Sequence, residues 1–487
     1  MKKECGFMHA EKLAGLQPEQ VFAYFEKLCS IPHGSGNTKA ISDYLVSFAC
    51  EQGLRYVQDQ LNNVIIFKDA SLGYEDHAPV VLQGHMDMVC VKDEDCTLDM
   101  AVQGLEVTHD GTDIFAVGTS LGGDNGIAVA YMLALLADAS IAHPPLEIVI
   151  TVDEETGMDG ATGIDLSGLK GRTLLNLDSE DEGIFTVACA GGARGTICLP
   201  LSRRAVYGPC VKLTVSELQG GHSGVEIHKN RANANKVMGD LLGRIQQIMP
   251  VCITKLSGGA KDNAIACTSQ ATLVAMGSHI ERINDIVTQL QQEIQSTYDE
   301  PNVIITADDV DALGGNALST QDSAKVIALL NSAPNGVQSW SEEIQGLVQT
   351  SLNLGVMSLS EAFTMTFAVR SSVNREKREL LDRLKELADF YGASYHEAGD
   401  YPAWEYKKDS RLRDTMVAVY KQMFGEDAKV VAIHAGLECG ILSDKLPGLD
   451  CVSIGPNMQD IHTSRERLNI ASTERTWLFL LEVLKAL

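Results

Sequence analysis

Five residues of metal-ligand type, His85, Asp124, Glu155, Asp178 and His462, each stand just past a strand-like run or at the turn into a helix. His85 closes Pro79-Val-Val-Leu-Gln-Gly-His85, and Asp124 lies in Gly122-Gly-Asp-Asn-Gly126. Glu155 ends Leu146-Glu-Ile-Val-Ile-Thr-Val-Asp-Glu-Glu155, Asp178 ends Thr173-Leu-Leu-Asn-Leu-Asp178, and His462 follows Cys451-Val-Ser-Ile-Gly-Pro456. Open α/β sheets place their ligand crevice outside the carboxyl ends of the strands. Two imidazoles and three carboxylates gathered there suit one or two zinc-like ions, which points to a metal-dependent hydrolase.

The neighbours of these residues add roles. In an extended segment residues two apart share a face, so Asp87 can reach the His85 imidazole and fix its tautomer. Asp124 sits among glycines at the entry to a helix expected over 125–137, where the backbone can approach closely and an anion is tolerated. Its two oxygens allow it to bridge two cations. Glu154 and Glu155 are adjacent, so their side chains diverge, and one can bind metal while the other faces the attacking water. A lone H-x-D is common, tandem glutamates usually form a solvated face, and Gly-Asp-Asn-Gly alone is a turn. Their joint occurrence in this order, each after a strand-like run, marks a site.

The elements that must position them alternate between strand and helix up to about Asp178. Helical patterning runs over Pro18–Cys29, and a second helix starts at a cap of Asn37 or Thr38. Val64–Lys68, Val80–Gln83, Ile148–Val152 and Leu174–Leu177 read as strands, several apolar throughout, which argues for a mostly parallel sheet covered by helices. The character changes near 187. Strands at Val211–Glu217 and Phe363–Val369, with helices around 233–249, 283–294 and 380–391, indicate an inserted α+β lid domain built of two similar halves. From about Asp400 the α/β character returns. The expected fold class is therefore α/β, with a discontinuous catalytic domain over 1–187 and 400–487 and a lid over 188–399.

Composition narrows the function. Lys and Arg total 39 against 65 Asp and Glu, a formal charge of −26, and no basic cluster offsets it, so nucleic acid is not an expected partner. The stretch Met1–Gln20 lacks the apolar core of a signal peptide, and no run approaches a membrane span, so a cytoplasmic protein with no membrane partner is expected. The 12 cysteines form no CxxC pair and are expected to be reduced; Cys90 and Cys96 read as packing residues. His33, His109, His143, His279 and His396 read as surface or capping histidines, whereas His228 and His434 sit inside motif-like segments.

Gln83-Gly-His-Met-Asp-Met-Val89, Gly118-Thr-Ser-Leu-Gly-Gly-Asp-Asn-Gly126, Thr151-Val-Asp-Glu-Glu-Thr-Gly-Met-Asp-Gly160, Asn176-Leu-Asp-Ser-Glu180, Gly220-Gly-His-Ser-Gly224 and His434-Ala-Gly-Leu-Glu-Cys-Gly440 together resemble the co-catalytic zinc peptidases that include aminoacylase, carnosinase and bacterial dipeptidases. The resemblance covers essentially the whole chain. It implies hydrolysis of dipeptides with two divalent ions, zinc or else cobalt or manganese. It assigns His85 and Asp178 to one ion, Glu155 and His462 to the other, and Asp124 to both. It makes Glu154 the general base, Asp87 the imidazole-orienting acid, and His222 a lid histidine that stabilises the oxyanion. Arg370 would hold the substrate's terminal carboxylate, assisted by Asn263, with Glu438 closing the pocket. It also implies a cis peptide at Asp124-Asn125 and a homodimer, although the insert between Asn263 and Arg370 is longer than simpler members carry. An N-acyl amino-acid deacylase would share this site chemistry. A different chemistry is open to Gly118-Thr-Ser-Leu-Gly122, which satisfies the G-x-S-x-G of a serine hydrolase with Ser120 as nucleophile, but leaves His85, Glu155 and Asp178 without roles.

Overall fold

The computed structural model describes residues 12–275, 280–311 and 314–487; His279 and the first 11 residues lie outside them. The chain divides into two compact units. The first comprises the described residues up to Val187 with Tyr406–Ala432 and Ile441–Leu487, and the second comprises Ala188–Glu405 with Ile433–Gly440. Residues 400–405 and 433–440 thus group with the inserted segment, not with the flanking one expected from sequence. Backbone bonds account for the second of these: Ala190 donates to the carbonyls of Ile433 and Ala435 at 3.1 and 3.0 Å.

The first unit is organised on an eight-stranded sheet in the order Arg55–Gln58, Val64–Lys68, Leu146–Thr151, Val80–His85, Thr173–Asn176, Asp450–Ser453, Ile184–Cys189 and Lys429–Ile433. The four strands from Leu146–Thr151 to Asp450–Ser453 run parallel to one another. Antiparallel pairs flank them, so parallel pairing is confined to the centre. Leu146–Thr151 and Val80–His85 are buried at every position, as a sheet covered on both faces requires.

Helix Gly123–Ala137 is apolar all round and buried from Gly126 to Leu136, which its Ile-Ala-Val-Ala-Tyr-Met-Leu-Ala-Leu-Leu run dictates. Phe22 and Phe25 of helix Glu19–Cys29 join its core, and Tyr131 stacks on Trp477 of helix Ile470–Ala486 at 5.7 Å. Each such buried large side chain contributes roughly 1.5–3 kcal/mol. A four-stranded sheet (Met458–Gln459, Arg467–Asn469, Asp113–Ala116, Val107–His109) joins the segment after His462 to the segment before Asp124.

The second unit is built on one nine-stranded antiparallel sheet that runs continuously through both of its parts. Its two parts join where Ser257 and Gly258 of strand Val251–Gly258 pair with Ser358 and Met357 of strand Val348–Leu359. Helices Ala234–Ile248, Ile280–Tyr298, Thr320–Ser332 and Asn374–Tyr391 bury apolar residues in a shared core with the strands. Asn233 caps the first of them with its side chain, and Gly392 ends the last at a φ of 66°.

His33 and His143 are buried, not surface residues: each ring faces a local backbone carbonyl, of Ile31 and Pro144 respectively, which satisfies one nitrogen inside the core. The described cysteines, Cys90 and Cys96 among them, are free thiols. Among the described residues no helix is long and apolar enough to cross a membrane.

Candidate metal centre

All five ligand-type residues of the sequence meet at one place in the first unit. His85 is the last residue of its strand, and its Nε2 lies 3.2 Å from Asp124 Oδ1 and 3.4 Å from Asp178 Oδ1. His462 Nε2 lies 3.1 Å from Asp124 Oδ2 and 2.9 Å from Glu155 Oε1. Each oxygen of Asp124 therefore faces a different imidazole, and each imidazole has its own second carboxylate. One donor atom from each of His85, Asp124 and Glu155 falls within 4.8 Å of the others, a spacing that could hold a metal ion. The donor set is imidazole and carboxylate, which suits zinc and its first-row neighbours.

The backbone at these positions is unusual. Gly122 enters the helix at φ 70°, Asp124 and Asn125 have non-helical angles within it, and the peptide between them is cis. Asp153, just before Glu154, and His462 have φ of 54° and 59°, the left-handed region that residues with a Cβ occupy mainly where the surroundings enforce it.

Three polar side chains hold these segments together. Asn125 donates from Nδ2 to the Leu177 carbonyl at 2.8 Å and accepts from the His85 amide at 3.2 Å, linking the segments that carry His85, Asp124 and Asp178. Asp87 is fully buried; its carbonyl lies 3.0 Å from His85 Nδ1 and its carboxylate 3.3 Å. That carboxylate accepts from Ser35 Oγ at 2.8 Å and from the amides of Glu154 and Glu155 at 3.1 and 3.4 Å, so Asp87 anchors the glutamate turn as well as the imidazole. Glu466, four residues after His462, is buried and accepts four successive amides. Oε2 takes Leu121 and Gly122 at 2.7 and 3.0 Å, and Oε1 takes Gly123 and Asp124 at 2.8 and 3.3 Å. Neither the Glu466 cradle nor the Asp87 anchor to the glutamate turn was found from sequence. The only signal for the former was an acid four residues past a candidate ligand.

The electrostatics are those of a cation site. Burial alone would lower the His85 imidazole, but the Asp178, Asp124 and Asp87 carboxylates outweigh it and hold it well above its ordinary value. Hydrogen bonds to Asp124 and Glu155 raise His462 to about 10. Burial would raise Asp124, yet the two imidazoles keep it far below the usual carboxylate range. Burial pushes Asp178 up to about 6, against the attraction of His85 and with repulsion from Asp124 and Glu155. Burial also pushes Glu466 up, against its amide donors.

The second unit gathers its own cluster. His222 lies in the two-residue strand Gly221–His222, which pairs with Ala264–Ile265, and Ser223 donates to the Asn263 carbonyl at 2.9 Å. The amides of Gly224 and Val225 both donate to His222 Nδ1 at 3.2 Å, so the neutral ring carries its proton on Nε2 and presents a donor there. Burial and the Arg370 charge lower its pKa. Arg370, in strand Ala362–Ser371, donates from Nη1 to Tyr401 Oη at 3.0 Å. A Cβ on Gly224 would stand 2.6 Å from the His434 carbonyl, 2.9 Å from His222 Cε1 and 3.2 Å from Arg370 Nε, so only glycine fits between them. His434 is buried with Nε2 2.7 Å from Ser351 Oγ, and burial followed by the Arg370 charge lowers it to about 3. Asn263 and His228 are exposed, and Glu438 is fully buried at the start of helix Glu438–Lys445.

The serine alternative fails on geometry. Ser120 is 1% exposed, its hydroxyl donates to the Val89 carbonyl at 2.7 Å and accepts from the Val91 amide at 3.1 Å, and it serves the loop, not a nucleophile's role.

Comparison with known proteins agrees with this chemistry. The chain is 36% identical over 479 residues to the cytosol non-specific dipeptidase of Escherichia coli (strain K12), covering 97% of this chain and 99% of that one. The crystal structure of aminoacylhistidine dipeptidase from Vibrio alginolyticus superposes with a TM-score of 0.92 at 34% identity, covering 98% of both chains. An aminopeptidase from Bacillus cereus, at 14% identity and a TM-score of 0.56 over 97% of this chain and 99% of its own, shares the fold. The sequence model of Peptidase family M20/M25/M40 matches residues 81–486, and this chain belongs to that family of hydrolases acting on peptide bonds.

Proposed function

We propose that this chain is a metal-dependent dipeptidase that cleaves short unblocked dipeptides, aminoacyl-histidine dipeptides among them. The observation that carries the reading is the division of Asp124, one oxygen toward His85 and Asp178 and the other toward His462 and Glu155. On this reading His85, Asp178 and Asp124 hold one divalent ion, Glu155, His462 and Asp124 hold a second, and zinc is favoured over cobalt or manganese. Such ions supply Lewis acidity toward the scissile carbonyl and make water acidic enough to attack near neutral pH.

The chain's own residues do the rest. Glu154, next to Glu155 on a turn whose amides Asp87 holds, takes the proton of the attacking water and returns it to the leaving amine. Asp87 fixes the His85 ring through Nδ1, leaving Nε2 for the ion. His222, protonated on Nε2 by its backbone partners, donates to the developing oxyanion. The planar fork of Arg370, with Nη1 fixed by Tyr401, takes the substrate's terminal carboxylate, which limits the enzyme to short substrates. Asn263 and Glu438 complete the proposed substrate-binding set. The sharing of names between the relatives above and this activity favours a dipeptidase over an N-acyl amino-acid deacylase. The proposal also takes the protein as cytoplasmic and homodimeric, the latter checked by sedimentation.

A panel of dipeptides, tripeptides and N-acetyl amino acids, assayed after chelation and readdition of zinc, cobalt or manganese, tests the function. Chelator-sensitive cleavage confined to dipeptides is expected. Indifference to chelators, or preference for N-acetyl substrates, would overturn it.

A further inference from the structure

We propose that Arg231 is a positioning residue for His222, acting with Glu226 to hold the loop that aims its Nε2–H. The inference rests on the reading of His222 as the oxyanion donor given above. Such a donor works only when it stands about 2.7–3.1 Å from where the charge develops. A displacement of about 1 Å can cost about 100-fold in rate. The backbone that carries His222 does not enforce that accuracy by itself. Gly220 and Gly221 precede it at φ of 64° and 128°, and its strand is two residues long, paired with Ala264–Ile265. Successive glycines leave a segment unusually free.

Two side chains remove that freedom. Arg231 Nη1 donates to the Gly220 carbonyl at 2.5 Å, and its Nη2 lies 3.2 Å from Glu226 Oε1. Glu226 Oε2 accepts from the His222 amide at 2.9 Å. The carbonyl before Gly221 and the amide after it are therefore both taken by one ion pair. That pair also fills the space a side chain at Gly221 would need: a Cβ there would meet Arg231 Nη1 and Glu226 Oε2, the latter at 2.7 Å.

The pair is itself anchored. Arg231 stands two residues before Asn233, whose side chain caps helix Ala234–Ile248, and that helix buries an apolar face. Upstream of the glycines, Gln219 donates its amide to Glu300 Oε2 at 3.0 Å and its Nε2 to the Asp299 carbonyl at 2.9 Å. Downstream, the Ser223 amide donates to the Asn263 carbonyl at 2.9 Å. The slack is thus confined to the two glycines, and Arg231 with Glu226 spans them. An ordinary surface ion pair is dispensable. This one differs because it also takes two backbone groups beside His222. Lys229, which meets Glu226 Oε1 at 2.8 Å from an exposed position, supplies the comparison.

The test is a double-mutant cycle on the zinc-loaded full-length protein with a dipeptide substrate. Arg231→Met is expected to lower kcat about 10- to 100-fold while KM changes by less than about threefold. Metal content by elemental analysis stays unchanged. In a His222→Ala background the same substitution should lower kcat by less than about twofold further, because no donor is left to aim. Glu226→Gln should show a smaller loss with the same coupling, and Lys229→Met should match wild type. If Arg231→Met does not fold, Arg231→Lys, which keeps the charge and loses the fork, is carried through the same cycle. Equal losses of kcat with and without His222 would overturn the proposal by showing a general structural role, and so would full activity of the Arg231 variant. If His222→Ala alone keeps the wild-type kcat, the reading of His222 fails first and the role of Arg231 with it.

Discussion

Replacing Glu466 with glutamine changes one atom and tests how the Asp124 loop is held. The carboxylate accepts from Leu121 and Gly122 through one oxygen and from Gly123 and Asp124 through the other, at 2.7, 3.0, 2.8 and 3.3 Å. A glutamine can keep one pair, but its amide NH2 then faces the other two N–H groups, donor against donor. Hydrogen bonds to a charged group contribute about 1.5–3 kcal/mol each, and a buried donor left unpaired costs a similar amount. With the amide oxygen on the Leu121 side, the losses fall on one short bond and one long one, a total of about 3 kcal/mol. If that energy holds the loop in the geometry that presents Asp124, metal affinity falls by about two decades, in line with the 10- to 100-fold typical of groups that orient ligands. Chelator-competition titration of purified Glu466→Gln measures the affinity, and thermal melting of the metal-free protein measures the loop's share of stability. An affinity within about twofold of wild type, with an unchanged melt, would refute the reasoning and reduce Glu466 to a space-filling residue.

Three further outcomes are expected. Glu154→Gln should lower kcat by about 10²–10⁴-fold while elemental analysis finds metal content intact; loss of both together would mean that the base is misassigned. Arg370→Lys keeps the charge but loses the fork and the Tyr401 contact, so KM for dipeptides should rise about tenfold or more while a dipeptide amide, lacking the carboxylate, is bound as before. Glu226 accepts from Lys229 and from the His222 amide, and these hold its carboxyl down at about 2. A depressed carboxyl contributes stability that is present above its unfolded value and lost as pH falls through the folded one. Carbon-13 NMR should therefore show Glu226 titrating near pH 2 with the His222 turn intact at pH 4; a midpoint near 4.5 would contradict this.

The parts of the site visible in the sequence are those with a local signature. Runs such as Val-Val-Leu and Leu-Glu-Ile-Val-Ile can be buried on both faces only as central strands, so the residues ending them had to emerge at one edge. The glycines around Asp124 announced a turn, and Gly122 does adopt a left-handed angle there. What had no local signature was pairing across distance. Glu466 lies 342 residues from Asp124, and nothing in its own neighbourhood distinguishes it from a surface acid. That the two parts of the second unit share one sheet had no local signature either, because strand pairing is set by contacts, not composition, and the join is made by Ser257 and Gly258 with Ser358 and Met357. His33 and His143 read as surface or capping groups because a histidine bonded to a nearby carbonyl looks the same, in sequence, as one in water.

A site assembled from five distant stretches of chain has a weakness: each ligand rides on its own loop, and a shift of an ångström in one would break the shared geometry of Asp124. The structure meets this by spending buried polar side chains on pairs of segments. Asn125 ties the His85 strand to the Asp178 loop, Asp87 ties the His85 turn to the Glu154–Glu155 turn, and Glu466 ties the His462 segment to the Asp124 loop. Every ligand is thus connected to another by a hydrogen-bonded group that holds no metal itself. On the proposed function, those links, made within the protein, place part of the cost of ordering the ligands on folding, not on metal capture.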